Sequence, residues 1–208
     1  QRLLKEGVTP TTAQINILRY DDAVDQSMEG RNILVIRGPA DLLREMSIVD
    51  TPGTNAIIRE HEAITSEFVP RADMVLFITS VDRPFTESER AFLELIRKWG
   101  KKVVVVINKV DILEQEEELA QVEEFVRINA LKLFDMEPEI FPVSARLALR
   151  AKLGEPQYWI PSRFEALESY IKDTLDDSSR LKLKLLNPLG VGLHLVERFG
   201  RITNERLG

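Results

Sequence analysis

The sequence has no cysteine, which removes disulfides, thiolate zinc sites and cysteine nucleophiles together. Its two histidines, His61 and His194, lie too far apart in the chain to suggest a histidine-built metal site. A basic excess is also missing. Lys and Arg number 28 against 34 Asp and Glu, a net charge of −6, which argues against nucleic acid as a partner. Apolar runs are short, with Val103–Ile107 among the longest, so none qualifies as a membrane-spanning helix. Nothing matches Gly-x-x-x-x-Gly-Lys-Ser/Thr, since Gly100-Lys101 lacks both the earlier glycine and the following hydroxyl residue.

What is present is ordinary for a globular chain. Hydrophobic residues make up 44% and charged residues 30%, values that exclude wholesale disorder. A length of 208 residues suits one domain with an appendage.

Six short apolar stretches read as strands: Ala13–Leu18, Ile33–Ile36, Met46–Val49, Met74–Ile78, Val103–Ile107 and Ile140–Val143. The denser of them are apolar on both faces, as interior strands of a helix-covered parallel sheet are. Helical spacing recurs at Ala56–Phe68, Glu87–Trp99, Glu114–Phe134 and Arg163–Leu175. This alternation predicts an α/β fold, a three-layer sandwich with a mostly parallel central sheet. Asp21–Gly30 and Gly154–Pro161 read as surface loops, where residues could also be missing relative to related chains.

Beyond Leu175 the character changes. Arg180–Gly208 holds six Lys or Arg and two Glu, and Asn187-Pro188 reads as a helix N-cap with proline at the first helical position. Leu189, Leu193 and Val196 share one face of that helix. The expected division is therefore an α/β domain over residues 1–176 and a separate helical element over 177–208. At the other end, Gln1–Gly7 reads like a last helical turn closed by a glycine. Together with the lack of a phosphate loop, it predicts a first strand, phosphate loop and helix upstream of Gln1.

Three motifs carry the chemistry, each placed directly after a strand. Asp50-Thr51-Pro52-Gly53 offers a carboxylate for a magnesium-bound water and a glycine N–H for a terminal phosphate. In Asn108-Lys109-Val110-Asp111 the aspartate can accept from both donors on guanine's edge, N1–H and the 2-amino group. The Lys109 stem can lie along the base, and Asn108 can tie the loop to its neighbours. In Ser144-Ala145-Arg146 the small residue lets a backbone N–H reach guanine's O6. The order and the intervals fit, with 58 residues from Asp50 to Asn108 and 36 from Asn108 to Ser144. Together they imply a guanine-nucleotide site. Thr9-Pro10-Thr11-Thr12 precedes the first strand, where a GTPase places a threonine on Mg²⁺.

Several stretches resemble the GTPase domains of dynamin-superfamily fusion proteins. They are Gly7–Thr12, Asp50–Asn55, Phe68–Asp73 and Asp82–Glu89. The branch is that of mitofusins, bacterial dynamin-like proteins and the fuzzy-onions-like dynamins of plastids, the plastid type being most alike. The resemblance implies GTP and GDP as ligands with Mg²⁺, and hydrolysis of GTP. It implies that Thr12 and Gly53 serve catalysis, and that Thr12 and Asp50 hold the metal. Thr11, Thr12, Asp50, Gly53, Asn108, Lys109, Asp111, Ser144, Ala145 and Arg146 would contact the nucleotide. It further implies a homodimer through the GTPase domains and a lipid membrane reached through parts outside this chain. A plastid membrane, thylakoid or inner envelope, follows for location, with a bacterial inner membrane as the alternative. The membrane outcome implied is fusion-type remodelling.

Two other readings stay open at this point. One is a translation- or ribosome-assembly GTPase of the same fold, which a basic RNA-binding appendage would mark. The other is a non-hydrolysing pseudo-GTPase scaffold.

Overall fold

The computed structural model describes residues 14–30, 32–52, 64–134, 137–175, 188–197, 199–201 and 203. The chain forms two compact units, residues 1–66 and 67–208. The described strands fall into two sheets, one of four strands and one of three.

The first unit holds β1 (Ile15–Tyr20), β2 (Asp25–Glu29), β3 (Ile33–Gly38), the short helix α1 (Leu42–Glu45) and β4 (Ile48–Asp50). Their order across the sheet is β2-β3-β1-β4. β1 and β3 run parallel, with Ile15 opposite Ile33 and Ile17 opposite Val35. Burial here is consecutive rather than alternate: Ile15, Asn16, Ile17 and Leu18 are all buried, and so are Val35 and Ile36, Val35 completely.

β2 lies where the sequence suggests a loop. It is a polar edge strand, antiparallel to β3, whose residues are mostly exposed. No apolar alternation could announce it, because it buries almost nothing. Cross-strand polar contacts hold it instead. Arg37 on β3 donates to Ser27 Oγ at 2.8 Å and to Asp25 Oδ2 at 3.4 Å. Gly30, at φ 73°, supplies the left-handed turn that a hairpin needs there.

The second unit holds β5 (Met74–Ser80), α2 (Glu87–Arg97), β6 (Lys102–Asn108), α3 (Glu116–Phe134), β7 (Glu139–Pro142), α4 (Ala145–Lys152), α5 (Trp159–Ser162) and α6 (Phe164–Leu175). Its sheet, β5-β6-β7, is wholly parallel, with Val75 opposite Val103 and Val105 opposite Ile140. Val103–Ile107 is buried throughout, as the central strand of such a sheet must be. β5 is different: Phe77 and Thr79 are buried while Leu76 and Ile78 are exposed.

The helices form where apolar spacing and caps coincide. α2 begins with a capping box, Thr86 accepting from the Glu89 N–H and Glu89 accepting from the Thr86 N–H, and it buries Leu93 and Ile96. α3 buries Leu119, Val126, Ala130 and Leu133 at helical spacing. Leu167 of α6 packs on Val106 and Val143, with Phe141, Phe164 and Ile171 around them.

Lys101 is 9% exposed, and its ammonium donates to the Pro70 carbonyl at 2.8 Å. Gly100-Lys101 therefore anchors the start of β6. Within the stretch expected as a loop, residues 154–161, lie a 3-10 turn (Pro156–Tyr158) and most of α5. Both are too short to leave a periodic signal.

The described residues from 188 onward are helical, and the expected cap Asn187 lies outside the described residues. Gly190 fits against the Trp99 and Gly100 carbonyls, at a point where a Cβ would meet them at 3.2 and 3.3 Å. The His194 ring stands 4.3 Å from the Trp99 ring. Leu189, Leu193 and Val196 are all exposed. Among the described residues, no helix is long and apolar enough to cross a membrane.

Candidate nucleotide site

Six of the residues singled out in the sequence meet at the C-terminal ends of β6 and β7, the edge where open parallel sheets bind ligands. Asn108 ends β6, and Lys109 then adopts the left-handed conformation, φ 67°, turning the chain into the 3-10 turn Val110–Ile112. The Asn108 side chain bridges two loops. Its Oδ1 accepts from the Lys109 N–H at 2.8 Å and from the Ala145 N–H at 3.0 Å. Backbone bonds reinforce this bridge, Val143 N–H donating to Ile107 at 2.8 Å and Val110 N–H donating to Val143 at 3.2 Å.

Asp111 projects from the 3-10 turn with its side chain only 7% exposed. The Ser144 hydroxyl donates to Oδ1, and Arg146 Nη2 stands 2.5 Å from Oδ2. Ser144 is fully buried and works three ways. It caps α4 by accepting from the Leu147 N–H at 3.1 Å, it bonds Asp111, and its own N–H donates to the Ser162 carbonyl at 2.8 Å. The Ala145 N–H, expected to reach a base carbonyl, here donates to Asn108.

Sequence reasoning missed Asp82 as part of this cluster. It follows β5, the strand next to β6, so the same edge of the sheet presents it. Lys109 Nζ lies 3.3 Å from Asp82 Oδ1, and the Ser80 hydroxyl also donates to that oxygen. The Ser80 bond first, and then the Lys109 ammonium, hold the Asp82 carboxyl below the usual carboxylate range, against an opposing effect of desolvation. The signal available in sequence was a Ser-x-Asp directly after an apolar strand.

Asp50 belongs to the first unit. It ends β4 half-buried, and Asn16 Nδ2 donates to its Oδ2 at 3.0 Å, fixing the carboxylate. Mg²⁺ takes few protein carboxylates and keeps several waters, so one oriented Asp at a strand end fits the ion. Thr11, Thr12 and Gly53 lie outside the described residues.

The chain is similar to several known proteins. A profile described as the Dynamin family matches residues 22–110, a stretch that includes Asp50, Gly53, Asn108 and Lys109. The chain is 39% identical over 94% of its length to a probable transmembrane FZO-like GTPase, chloroplastic, from Arabidopsis thaliana. It covers 24% of that relative. Against dynamin-like protein A of Bacillus subtilis it is 28% identical over 54% of the chain and 10% of the relative. A solved structure of an oligomerised bacterial dynamin pair superposes with a TM-score of 0.69, at 15% identity over 97% of this chain and 46% of that one. The fold is thus the α/β fold of the dynamin-type GTPases. The chain belongs to the dynamin family, in the branch of the fuzzy-onions-like proteins.

Proposed function

We propose that this chain is the guanine-nucleotide domain of a GTP-hydrolysing, membrane-remodelling protein, with residues 1–176 as the GTPase domain and 177–208 as the start of its helical neck. The observation that carries the reading is the joining of Asn108, Asp111, Ser144 and Ala145 by hydrogen bonds at the ends of two neighbouring parallel strands. A carboxylate held there by Ser144 can accept two adjacent donors, and guanine presents two. Lys109 lines the base, and Thr11, Thr12 and Gly53 attend the phosphates.

Thr12 and Asp50 would hold Mg²⁺, whose chemistry is to offset the charge that develops on the transferred phosphoryl group. The chain's own work is positioning: fixing the base, orienting the phosphates and excluding alternatives. Two copies pair through their GTPase domains, and the membrane is reached through other parts of the protein. The FZO-like relative is described as chloroplastic, which supports a plastid membrane, thylakoid or inner envelope, as the place of action. Fusion-type remodelling is the outcome proposed there.

The test is base exchange in the intact protein. Asp111→Asn replaces an acceptor with a donor that faces the 2-amino group. Loss of one half of a bidentate contact costs about 1–3 kcal/mol, so GTP affinity should fall roughly 10- to 100-fold. Xanthosine triphosphate carries a carbonyl there and should become the preferred nucleotide. An Asp111→Asn protein that gains nothing for xanthine over guanine would sink the assignment.

A further inference from the structure

We infer that Arg146 is a built-in competitor of the base, holding the Asp111 carboxylate until a nucleotide takes its place. The inference rests on the guanine reading above and reverses the role expected for Arg146, which was to help bind the nucleotide.

The argument begins with crowding. Both Asp111 oxygens are engaged, and the side chain is 7% exposed, too little for a purine edge to reach both at once. One of the groups on the carboxylate must therefore leave. Ser144 is poorly placed to do so. It is fully buried, pinned through its N–H to Ser162, and committed through its hydroxyl to capping α4. Arg146 is free to swing away. Its side chain is 69% exposed, and it sits in the first turn of α4, where a cation opposes the helix dipole. Apart from Asp111, no ion-pair partner holds it among the described residues.

The neighbouring bond follows the same logic. The Ala145 N–H is taken by an amide carbonyl, that of Asn108, at 3.0 Å. Asp111 thus receives an N–H donor from Arg146 beside the Ser144 hydroxyl, and Ala145 meets a carbonyl oxygen. Guanine offers the same complement, with N–H donors on one edge beside its O6. The loop ends are closed on themselves by groups that imitate the base. Base entry is then an exchange of hydrogen bonds in which Arg146 is the group that departs.

Three behaviours follow in the intact protein. Arg146→Ala should tighten GDP and GTP by about two- to fivefold, the scale of a single ion pair with one exposed partner, chiefly through faster association. Arg146→Lys, which keeps the charge, should restore most of the wild-type rate. Raising salt screens the pair, so it should speed association relatively more in wild type than in Arg146→Ala. Fluorescent GDP mixed rapidly with each protein gives the rates, and a titration gives the affinities. A thermal melt confirms that each variant is folded.

Weaker or unchanged guanine-nucleotide binding in Arg146→Ala would overturn the competitor role. Asp111→Asn, measured alongside, separates the two claims. If it switches to xanthine while Arg146→Ala does not tighten, only the competitor role falls. If it does not switch, the guanine reading fails and this inference goes with it.

Discussion

Lys109 and Asp82 stand 27 residues apart in sequence and 3.3 Å apart in space, ammonium to carboxylate. The lysine reaches across from a left-handed backbone position at φ 67°. Such a conformation costs a non-glycine residue on the order of 1 kcal/mol, so the packed ends of β6 and β7 must hold it in place. Asp82 then limits where the lysine stem can lie, as the proposed role of Lys109 along a flat base requires.

Asp82 should titrate abnormally. Its carboxyl lies below the usual range, with the Ser80 hydroxyl as the largest cause and Lys109 behind it. A depressed folded value stabilises the fold above the unfolded value, and that contribution is lost as pH falls through the folded one. With the side chain 45% exposed, the effect on melting will be small, so the titration itself is the readout. Following the Asp82 carboxyl carbon by NMR, Ser80→Ala should raise its midpoint more than Lys109→Ala does. A larger rise from Lys109→Ala would show that the ion pair dominates.

Thr86→Ala should loosen the start of α2. The capping box gives the Glu89 N–H and the Thr86 N–H a partner each, and the substitution removes the first. Loss of such a cap costs about 1 kcal/mol, and Thr86→Ser should recover most of it. Urea unfolding of the three proteins would measure this. Equal midpoints for Ala and Thr would mean that Glu89 alone serves the helix end.

Gly190 and Gly192 should respond in opposite directions to alanine. A Cβ at Gly192 meets nothing within 4 Å, so Gly192→Ala should favour the helix by about 1 kcal/mol. At Gly190 the new atom would press on the Trp99 and Gly100 carbonyls, which are backbone and cannot rotate away. Displacement of that helix would separate His194 from Trp99. In a Trp159→Phe background, Trp99 emission should change in Gly190→Ala and stay the same in Gly192→Ala. Identical spectra would show that the helix is not seated through Gly190.

The strands that could be read from sequence were those that bury a run of branched side chains. Val103–Ile107 is the plainest, because a central parallel strand has no polar face to interrupt it. β2 escaped notice because its stability comes from Arg37, a residue on another strand. α4 escaped because eight residues give barely two turns of periodicity, although Ser144 as its cap was in plain view. The site motifs were legible because each follows a strand directly, so its place at the sheet edge comes with the topology. Pairings through space were not. Nothing in Asn108–Asp111 announces that Asp82 will meet Lys109, or that Arg146 will sit on the Asp111 carboxylate.

The bond from the Ser144 N–H to the Ser162 carbonyl ties the Asp111 pocket to α5, a helix whose Ile160 is 83% exposed. Because these 208 residues contain no cysteine, one introduced at position 160 would give this chain a single defined place for a thiol-reactive dye. The dye would stand clear of the carboxylate yet ride on the turn that holds its serine partner. Such an optical handle would follow events at the proposed base pocket from outside it, with no label on the nucleotide.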